Sequence, residues 1–190
     1  MANAGELTTV PYMHDALTIG VIPALCASEA PGVLGMIMAA SSDLTLCDAT
    51  YLPAGLNLLD AEDWLATRGP MAWVLMCNGA PCGWYELGPL KGSIGLELPD
   101  GTLEREVWLL PAWRGQGVVR EATALLTPPM QLAGVRHVLG VAWESNVAAI
   151  KGMKRAGFAR LGRVWWEHTD YEPGWCDAWM LNVSLTEDSR

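Results

Sequence analysis

Residues 106–120 contain the pattern that most constrains how this chain can fold. An apolar run over 107–110 leads through Pro111 into the turn Arg-Gly-Gln-Gly at 114–117, and the residues that follow suit a helix. The run predicts a buried strand. A turn of this kind gathers unsatisfied backbone N–H groups at the positive end of the helix dipole, where a pyrophosphate binds well. The segment therefore predicts a strand, a turn and a helix that together hold a nucleotide cofactor.

Two common nucleotide-binding loops are excluded by the spacing of the glycines. A dinucleotide-binding fold needs three glycines in the pattern G-x-G-x-x-G, and Arg120 occupies the third position here. The Walker pattern G-x-x-x-x-G-K-[ST] occurs nowhere in the chain. The loop must therefore belong to another class.

The remaining pattern, a strand and a proline before Arg-Gly-x-Gly, resembles the acyl-CoA loop of the GNAT superfamily of N-acetyltransferases. A second block is similar to the same family: a β-like run over 137–142 precedes Asn146, a helix-like segment and the pair Gly157-Phe158. Blocks at 51–53, 61–65, 162–166 and 174–181 resemble its Rim-type subgroup, which is similar to ribosomal-protein N-terminal acetyltransferases. The resemblance covers about residues 45–183.

The resemblance implies one GNAT-like acyltransferase domain over residues 1–190, with a mixed α/β (α+β) fold. Its centre would be a largely antiparallel sheet of six to seven strands flanked by helices. Two splayed parallel strands, near 104–110 and 137–142, would form a gap for acetyl-CoA, the implied acyl donor. Backbone amides in the strand would orient the thioester, N–H groups in the loop would hold the pyrophosphate, and Asn146 would contact the pantetheine arm. The implied acyl-CoA-binding residues are Leu109, Leu110, Arg114, Gly115, Gln116, Gly117, Val118, Val119 and Asn146.

Four positions depart from the pattern of the family. Val119 stands where the loop usually ends in a small residue, and Met153 stands where a Tyr commonly protonates the departing thiolate. Ala149 and Leu161 occupy positions where the Rim-type subgroup often has a Ser and an acidic residue. The usual general acid and general base are therefore both missing.

Candidate catalytic residues come from the strand pattern instead. Alternation places Glu104, Glu106 and Trp108 on one face of the strand, and Glu86 lies on the neighbouring predicted hairpin. Glu106 is the first candidate for the general base and Glu86 the second, although either can be a solvated charge on a strand face. Ser145 is a candidate acid or the N-terminal cap of a helix. Three further polar residues line the acceptor cleft or belong to a hairpin loop: His168, Asp170 and Tyr171.

These residues favour an acetyl-CoA-dependent N-acetyltransferase that acts on a primary amine, either a small molecule or a peptide N-terminus. Direct attack by the amine does not strictly need the usual general acid and base, because holding the amine and the thioester in line supplies much of the acceleration. A base is still needed to take the ammonium proton, directly or through water. Two other hypotheses stay open: a catalytically degenerate acyl-CoA-binding regulatory module, and a transferase of a bulkier acyl or aminoacyl group. A homodimer is a possible assembly.

The composition bounds the class of protein. The chain has 190 residues, a net charge of −9 and 51% hydrophobic residues. Residues 101–163 carry nine Lys and Arg against four acids, a basic half that would suit CoA phosphates, while the acidic remainder would suit a cationic amine. The pI of about 4.7 argues against nucleic acid. Short apolar runs, no basic leader and five cysteines without a CxxC pair predict a cytoplasmic protein with no membrane span and no structural metal.

The coarse layout is read from periodicity and turn signals. A first strand is predicted over 7–12, and a helix over 15–40 with a break at Pro31-Gly32. Hairpins are predicted at Asn78-Gly79 and at 99–101. Helices are predicted over 60–67 with Asp60 as N-cap, over 116–126 with an end forced by Pro128 and Pro129, and over 146–156; strands are predicted over 137–142, 160–167 and 176–183. Six tryptophans are expected in the core or in an amine pocket: Trp73, Trp84, Trp108, Trp165, Trp166 and Trp179.

Overall fold

The computed structural model describes residues 12–14, 17–168 and 172–183, and within them one mixed sheet is flanked by helices on both faces. The strands are β1 (Tyr12–His14), β2 (Leu17–Pro23), β3 (Ala72–Cys77), β4 (Ala80–Gly88), β5 (Gly92–Ser93), β6 (Thr102–Leu109), β7 (His137–Trp143), β8 (Ala159–His168) and β9 (Gly174–Asn182). The helices are α1 (Val33–Ser41), α2 (Leu44–Cys47), α3 (Leu58–Ala66), α4 (Val118–Leu132) and α5 (Val147–Arg155). None of these helices is long and apolar enough to cross a membrane.

The sheet confirms the predicted fold class and adds two edge strands. Its strand order is β1-β2-β3-β4-β6-β7-β9-β8-β5. Every pairing is antiparallel except β6 with β7. The seven inner strands match the upper end of the expected number, and the strands β1 and β5, of three and two residues, extend the sheet to nine among the described residues.

The two parallel strands separate soon after they meet. β6 and β7 pair only from Thr102 with His137 to Glu104 with Leu139, although β6 continues to Leu109 and β7 to Trp143. The strands therefore splay toward their C-terminal ends and leave the inter-strand gap that the resemblance implied. We call this opening the splay gap.

Alternating side chains of the sheet feed two cores on opposite faces. On one face Tyr85 and Leu109 pack with α4 residues such as Leu126 and with Met153 of α5. On the other face Trp84 and Trp108 pack with α1 and α3. Five of the six tryptophans expected in the core are buried, whereas Trp165 is 44% exposed.

The N-terminal part of the predicted helix over 15–40 is wrong. Residues 17–23 form strand β2, which pairs antiparallel with β3 from Ile19 opposite Cys77 to Pro23 opposite Trp73. The segment is rich in β-branched residues, which favour a sheet, and it can cover the edge of β3. The helix begins only after Pro31-Gly32, at Val33. Helix α3 likewise begins earlier than predicted, since Asn57 is its N-cap and Asp60 is the N3 partner of a capping box.

The two hairpin predictions have different outcomes. Asn78 and Gly79 both have positive φ, and they join β3 to β4 as predicted. The turn at 99–101 does deliver β6, but the antiparallel partner of β6 is β4, from Gly83 opposite Leu109 to Gly88 opposite Glu104. The short strand before the turn, β5, pairs with β8 instead.

Helix α4 continues through the two prolines that were expected to end it. It runs to Leu132, and both Pro128 and Pro129 lie inside it. Leu126 and Met130, four residues apart on one face, are fully buried, while both prolines are exposed. Burial of that face outweighs the missing N–H groups, and water can reach carbonyls on the exposed side.

We expect Pro128→Ala to stabilise the protein by about 1–2 kcal/mol, because alanine restores an N–H group and removes a ring clash in a helix interior. Urea unfolding at neutral pH measures the change. Pro111→Ala is the matched control: Pro111 is also exposed, but it opens a 3-10 turn, where its missing N–H costs nothing. Equal effects of the two substitutions would contradict this account of α4.

Candidate active site

The loop between β6 and α4 presents a row of free backbone donors. Gly115 and Gly117 adopt left-handed conformations, with φ of 78° and 83°, which favour glycine. Gly117 is the N-cap of α4. Within the described residues, no acceptor takes the N–H groups of the five residues from Gly115 to Val119. These donors converge at the start of a fifteen-residue helix, which is a setting for an anion.

Arg114 holds the loop in place rather than adding to this row. Its N–H group donates to the Pro111 carbonyl at 3.2 Å, so we correct its predicted place among the phosphate donors. Its side chain donates from Nε to the Leu109 carbonyl at 3.0 Å and from Nη2 to Asp43 at 2.9 Å. Asp43 also caps α2, and the contact with Arg114 lowers the pKa of its carboxyl.

The backbone of β6 turns the amide of one expected residue, Leu109, toward the splay gap, but not that of the other, Leu110. Leu110 donates its N–H to the Cys82 carbonyl at 2.9 Å, on the β4 side, so its predicted role in orienting a thioester is wrong. N–H groups of successive strand residues point in opposite directions. The amide of Leu109 therefore points toward β7, as does that of Val107. Both lie beyond the last pair between β6 and β7.

The turn between β7 and α5 contains two of the candidate residues, Asn146 and Ser145. The Asn146 side chain caps α5 by accepting the N–H of Ala149 at 3.1 Å, so its Oδ1 is already engaged. Ser145 is not the cap. It is exposed, and no hydrogen bond joins its hydroxyl to Glu86 or Glu106. The role of Ser145 as a catalytic acid stays a prediction.

Three glutamates meet on the sheet face opposite α4 and α5. Glu104 and Glu106 are buried on β6, and Glu86 of β4 lies directly opposite Glu106. Glu86 accepts a hydrogen bond from Trp84 Nε1 at 3.1 Å and lies 3.6 Å from Arg68 Nη1. The predicted first and second candidates for the base are thus neighbours in one acidic cluster.

Two residues from distant segments, Tyr51 and Lys91, complete this cluster. Tyr51 donates its N–H to Glu106 at 3.1 Å and its hydroxyl to Glu104 at 3.3 Å. Lys91 donates its backbone N–H to Glu104 at 2.8 Å, and its Nζ lies 3.4 Å from Glu106 Oε2 and 3.6 Å from the centre of the Tyr51 ring. The cavity left beside them is about 10 Å³, room for no more than about one water molecule. The Lys91 ammonium therefore fills this acidic pocket.

Glu106 has the ionisation behaviour of a base that works near neutral pH. Burial, with a smaller effect of the facing Glu86, raises the pKa of its carboxyl to about 7, although Lys91 and the Tyr51 N–H act in the opposite direction. A general base is most effective when its pKa lies near the working pH. Glu106 can therefore exchange a proton with a group that takes the place of the Lys91 ammonium.

Comparison with known proteins agrees with this geometry. A family model described as an acetyltransferase (GNAT) domain matches residues 25–159, which include the loop, the splay gap and the acidic pocket. The chain belongs to the GNAT acetyltransferase family. No curated protein matches its sequence significantly.

Solved structures share this GNAT fold at low sequence identity. The microcin C7 self-immunity acetyltransferase MccE, in complex with acetyl-CoA and AMP, has a TM-score of 0.67 and 15% identity, and the match covers 89% of this chain and 93% of that one. RimL, a ribosomal L7/L12 α-N-protein acetyltransferase in complex with coenzyme A, has a TM-score of 0.66 and 13% identity, and the match covers 89% of this chain and 95% of that one. A ribosomal-protein-alanine N-acetyltransferase from Brucella melitensis has a TM-score of 0.61 and 18% identity, and the match covers 85% of this chain and 98% of that one. These likenesses confirm the fold and place Rim-type enzymes among those that share it.

Sequence reasoning found the GNAT loop but missed part of the pocket. Lys91 belongs to no motif, and Tyr51 was singled out only as part of the block at 51–53 and not for a role in the site. Only the fold brings them to Glu106. Glu104 shares a strand face with Glu106 in the sequence pattern, which is the one signal that pointed to it. Of the three polar residues predicted near the acceptor cleft, Asp170 and Tyr171 lie outside the described residues, as does the side chain of His168.

Proposed function

We propose that this protein is an N-acetyltransferase that moves the acetyl group of acetyl-CoA to a primary amine by direct attack. The observation that carries the proposal is the Lys91 ammonium against Glu106 and the Tyr51 ring. A protein-derived primary amine already occupies a pocket built from a buried carboxylate and an aromatic face, beside the splay gap.

The donor side is supported by the loop and by the strand that precedes it. The five free N–H groups from Gly115 to Val119 suit the pyrophosphate of CoA, and the first turn of α4 adds the positive end of its dipole. The amides of Val107 and Leu109 point into the splay gap, where they can bind the thioester oxygen as it gains negative charge. Two of the solved structures that share this fold contain coenzyme A or acetyl-CoA.

The acceptor side is supported by the charge and shape of the acidic pocket. Glu86, Glu104 and Glu106 line it together with the Tyr51 ring, and a carboxylate and an aromatic face both attract an ammonium group. The remaining space holds no acceptor while Lys91 is in place. An acceptor amine therefore displaces Lys91, and it inherits the contact with Glu106.

The acceptor ammonium loses two protons in the reaction, one to Glu106 before attack and one to water as the amide forms. An ammonium cannot attack a thioester, so Glu106 takes a proton from it and leaves a neutral amine. The lone pair of the nitrogen then forms a bond to the acetyl carbon while the Val107 and Leu109 amides stabilise the oxyanion. Fixing the two reactants in the splay gap supplies the rest of the acceleration.

Acetyl transfer to a panel of amines tests this proposal. The panel contains small diamines and peptides with free N-termini, and the same peptides with blocked N-termini are the matched controls. We expect release of CoA thiol that depends on a free amine, with a mass increase of one acetyl group on the product. Binding of acetyl-CoA without transfer to any amine would favour the regulatory module instead.

The pH profile of kcat/KM should shift in opposite directions in two variants of the acidic pocket. Because Glu106 must be ionised, we expect activity to rise through about pH 7 in the wild type. Glu86 raises the pKa of Glu106 and Lys91 lowers it. The rising limb should therefore move to lower pH in Glu86→Gln and to higher pH in Lys91→Met. Profiles measured with two amines of different basicity separate the enzyme from the acceptor, and shifts of equal sign in the two variants would contradict Glu106 as the base.

A further inference from the structure

Arg105 is a buried cation without a carboxylate partner. Arg105 is 9% exposed. Its Nε and Nη1 atoms are fully buried and make no hydrogen bond within the described residues. Arg105 is also the only buried Lys or Arg among them. An unpaired buried charge costs free energy, so this guanidinium requires a physical explanation.

The guanidinium lies where the splay gap begins. Arg105 follows Glu104, the last β6 residue that pairs with β7. A Cβ on Gly140 of β7 would stand 3.6 Å from Arg105 Nη2 and 2.5 Å from Met153 Sδ. The absence of a side chain at Gly140 therefore leaves room for both Arg105 and Met153 at the closed end of the splay gap, on the α5 side.

The surroundings of Arg105 are aromatic and apolar. The guanidinium lies 4.6 Å from the centre of the Phe158 ring and 5.9 Å from that of Tyr85. The acidic pocket is on the opposite face of β6, and the buried Glu121 of α4 is paired with Arg120. Burial lowers the pKa of Arg105, whereas Tyr85 raises it. The rings offset part of the cost of burial, but the N–H groups at Nε and Nη1 make no hydrogen bond.

We propose that Arg105 binds the sulfur of CoA as it leaves as a thiolate. This inference rests on the proposed function, which puts a thioester into the splay gap. When the amine nitrogen bonds to the acetyl carbon, the carbon–sulfur bond breaks and its electron pair stays on sulfur. Glu106 has taken the first proton of the ammonium before attack, and the second passes from the nitrogen to water as the amide forms. The thiolate pairs with the guanidinium until CoA departs and takes a proton from water.

Arg105 is suited to this role by charge rather than by proton transfer. A guanidinium keeps its proton at every working pH, so it stabilises the thiolate without acting as an acid. Met153, the helix side chain beside it, has no proton to give. The new charge forms in the apolar surroundings of Arg105, where an opposite charge is worth far more than in water.

Binding of coenzyme A as a function of pH tests the inference without turnover. Calorimetric titrations of CoA and of acetyl-CoA are made at pH 6 and pH 8, with wild type, Arg105→Met and Arg105→Lys. A nearby cation lowers the pKa of a thiol by about 1–3 units from about 8.5. In the wild type we expect CoA to gain about tenfold in affinity over acetyl-CoA between the two pH values.

The variants separate the possible results. Arg105→Met should bind acetyl-CoA as the wild type does, lose the pH-dependent preference for CoA, and turn over roughly a hundredfold more slowly; Arg105→Lys should recover part of both. A preference that persists in Arg105→Met overturns the inference, as does an unchanged kcat. If Arg105→Met does not fold, Arg105→Lys provides the test. The inference is overturned if Arg105→Lys keeps both the pH-dependent preference for CoA and the turnover of the wild type. If the wild type does not bind acetyl-CoA at all, the proposed function is refuted instead.

Discussion

Replacing Glu106 by glutamine should leave a protein that binds acetyl-CoA normally but transfers the acetyl group about 10²- to 10⁴-fold more slowly. Glutamine fills nearly the same volume and can still accept the Tyr51 N–H, but it cannot take a proton from an ammonium. Steady-state rates with a reactive amine and calorimetry with acetyl-CoA measure the two properties separately. Glu86→Gln is the matched control on the facing strand, and we expect it to retain most of the activity.

The same substitution should make the protein more stable at high pH. The pKa of Glu106 is about 7 in the folded protein against an ordinary value of 4.5, so the carboxyl binds its proton more tightly in the folded state. Folded-state stability from this group is fully present below pH 4.5 and is lost as the pH rises through 7. Glu106→Gln should therefore gain about 3 kcal/mol at pH 8.5 and about 1 kcal/mol at pH 5.5.

Urea unfolding at the two pH values checks this result. A gain of equal size at both pH values would mean that shape, and not charge, makes Glu106 costly. A loss of stability at pH 8.5 would mean that the ion pair with Lys91 outweighs the burial of the carboxylate, and Glu106 would then titrate well below neutral pH.

The second large effect is expected at Gly117. Alanine there should weaken acetyl-CoA binding about 10- to 100-fold, because its Cβ projects into open space in front of the free N–H groups and shifts them away from a pyrophosphate. The left-handed backbone at φ 83° should also cost about 1–2 kcal/mol of stability.

Gly134 provides a matched control at the other end of the same helix. It has φ of 81°, and a Cβ there also meets no atom within 4 Å. Gly134→Ala should therefore lose similar stability, measured by thermal unfolding, and keep wild-type affinity for acetyl-CoA, measured by calorimetry. Equal affinities in the two variants would remove the loop from the donor site.

Local chemistry explains what the sequence could predict. The left-handed glycines of the β6–α4 loop and the turn at Asn78-Gly79 depend on neighbouring residues alone. Residue type is therefore enough to predict both features. The splayed parallel strands came from the family resemblance, which carries long-range information. Helix α4 was predicted too short because the buried pair Leu126 and Met130, and not the local preference of proline, decides where it ends.

The remaining errors concern register and contacts between distant segments. Whether Leu109 or Leu110 turns its amide to the splay gap depends on how β4 aligns with β6, and no residue type marks that alignment. Lys91 and Tyr51 reach Glu106 from separate loops. The significance of Arg105 was invisible for the same reason, since a charged residue in a strand looks solvated until the facing helices are known.

Strand β6 separates three tasks by direction. Under the proposed function, its in-plane amides would bind the oxyanion, its side chain at 105 would serve the donor, and its side chains at 104 and 106 would serve the acceptor. A change at 104 would then alter which amine is accepted without altering the donor side, whereas 106 carries the proposed base. A shift of β6 by one residue would exchange the two faces and abolish both tasks at once. Under the proposed function, the alignment of this single strand therefore decides whether the donor side and the acceptor side are both formed.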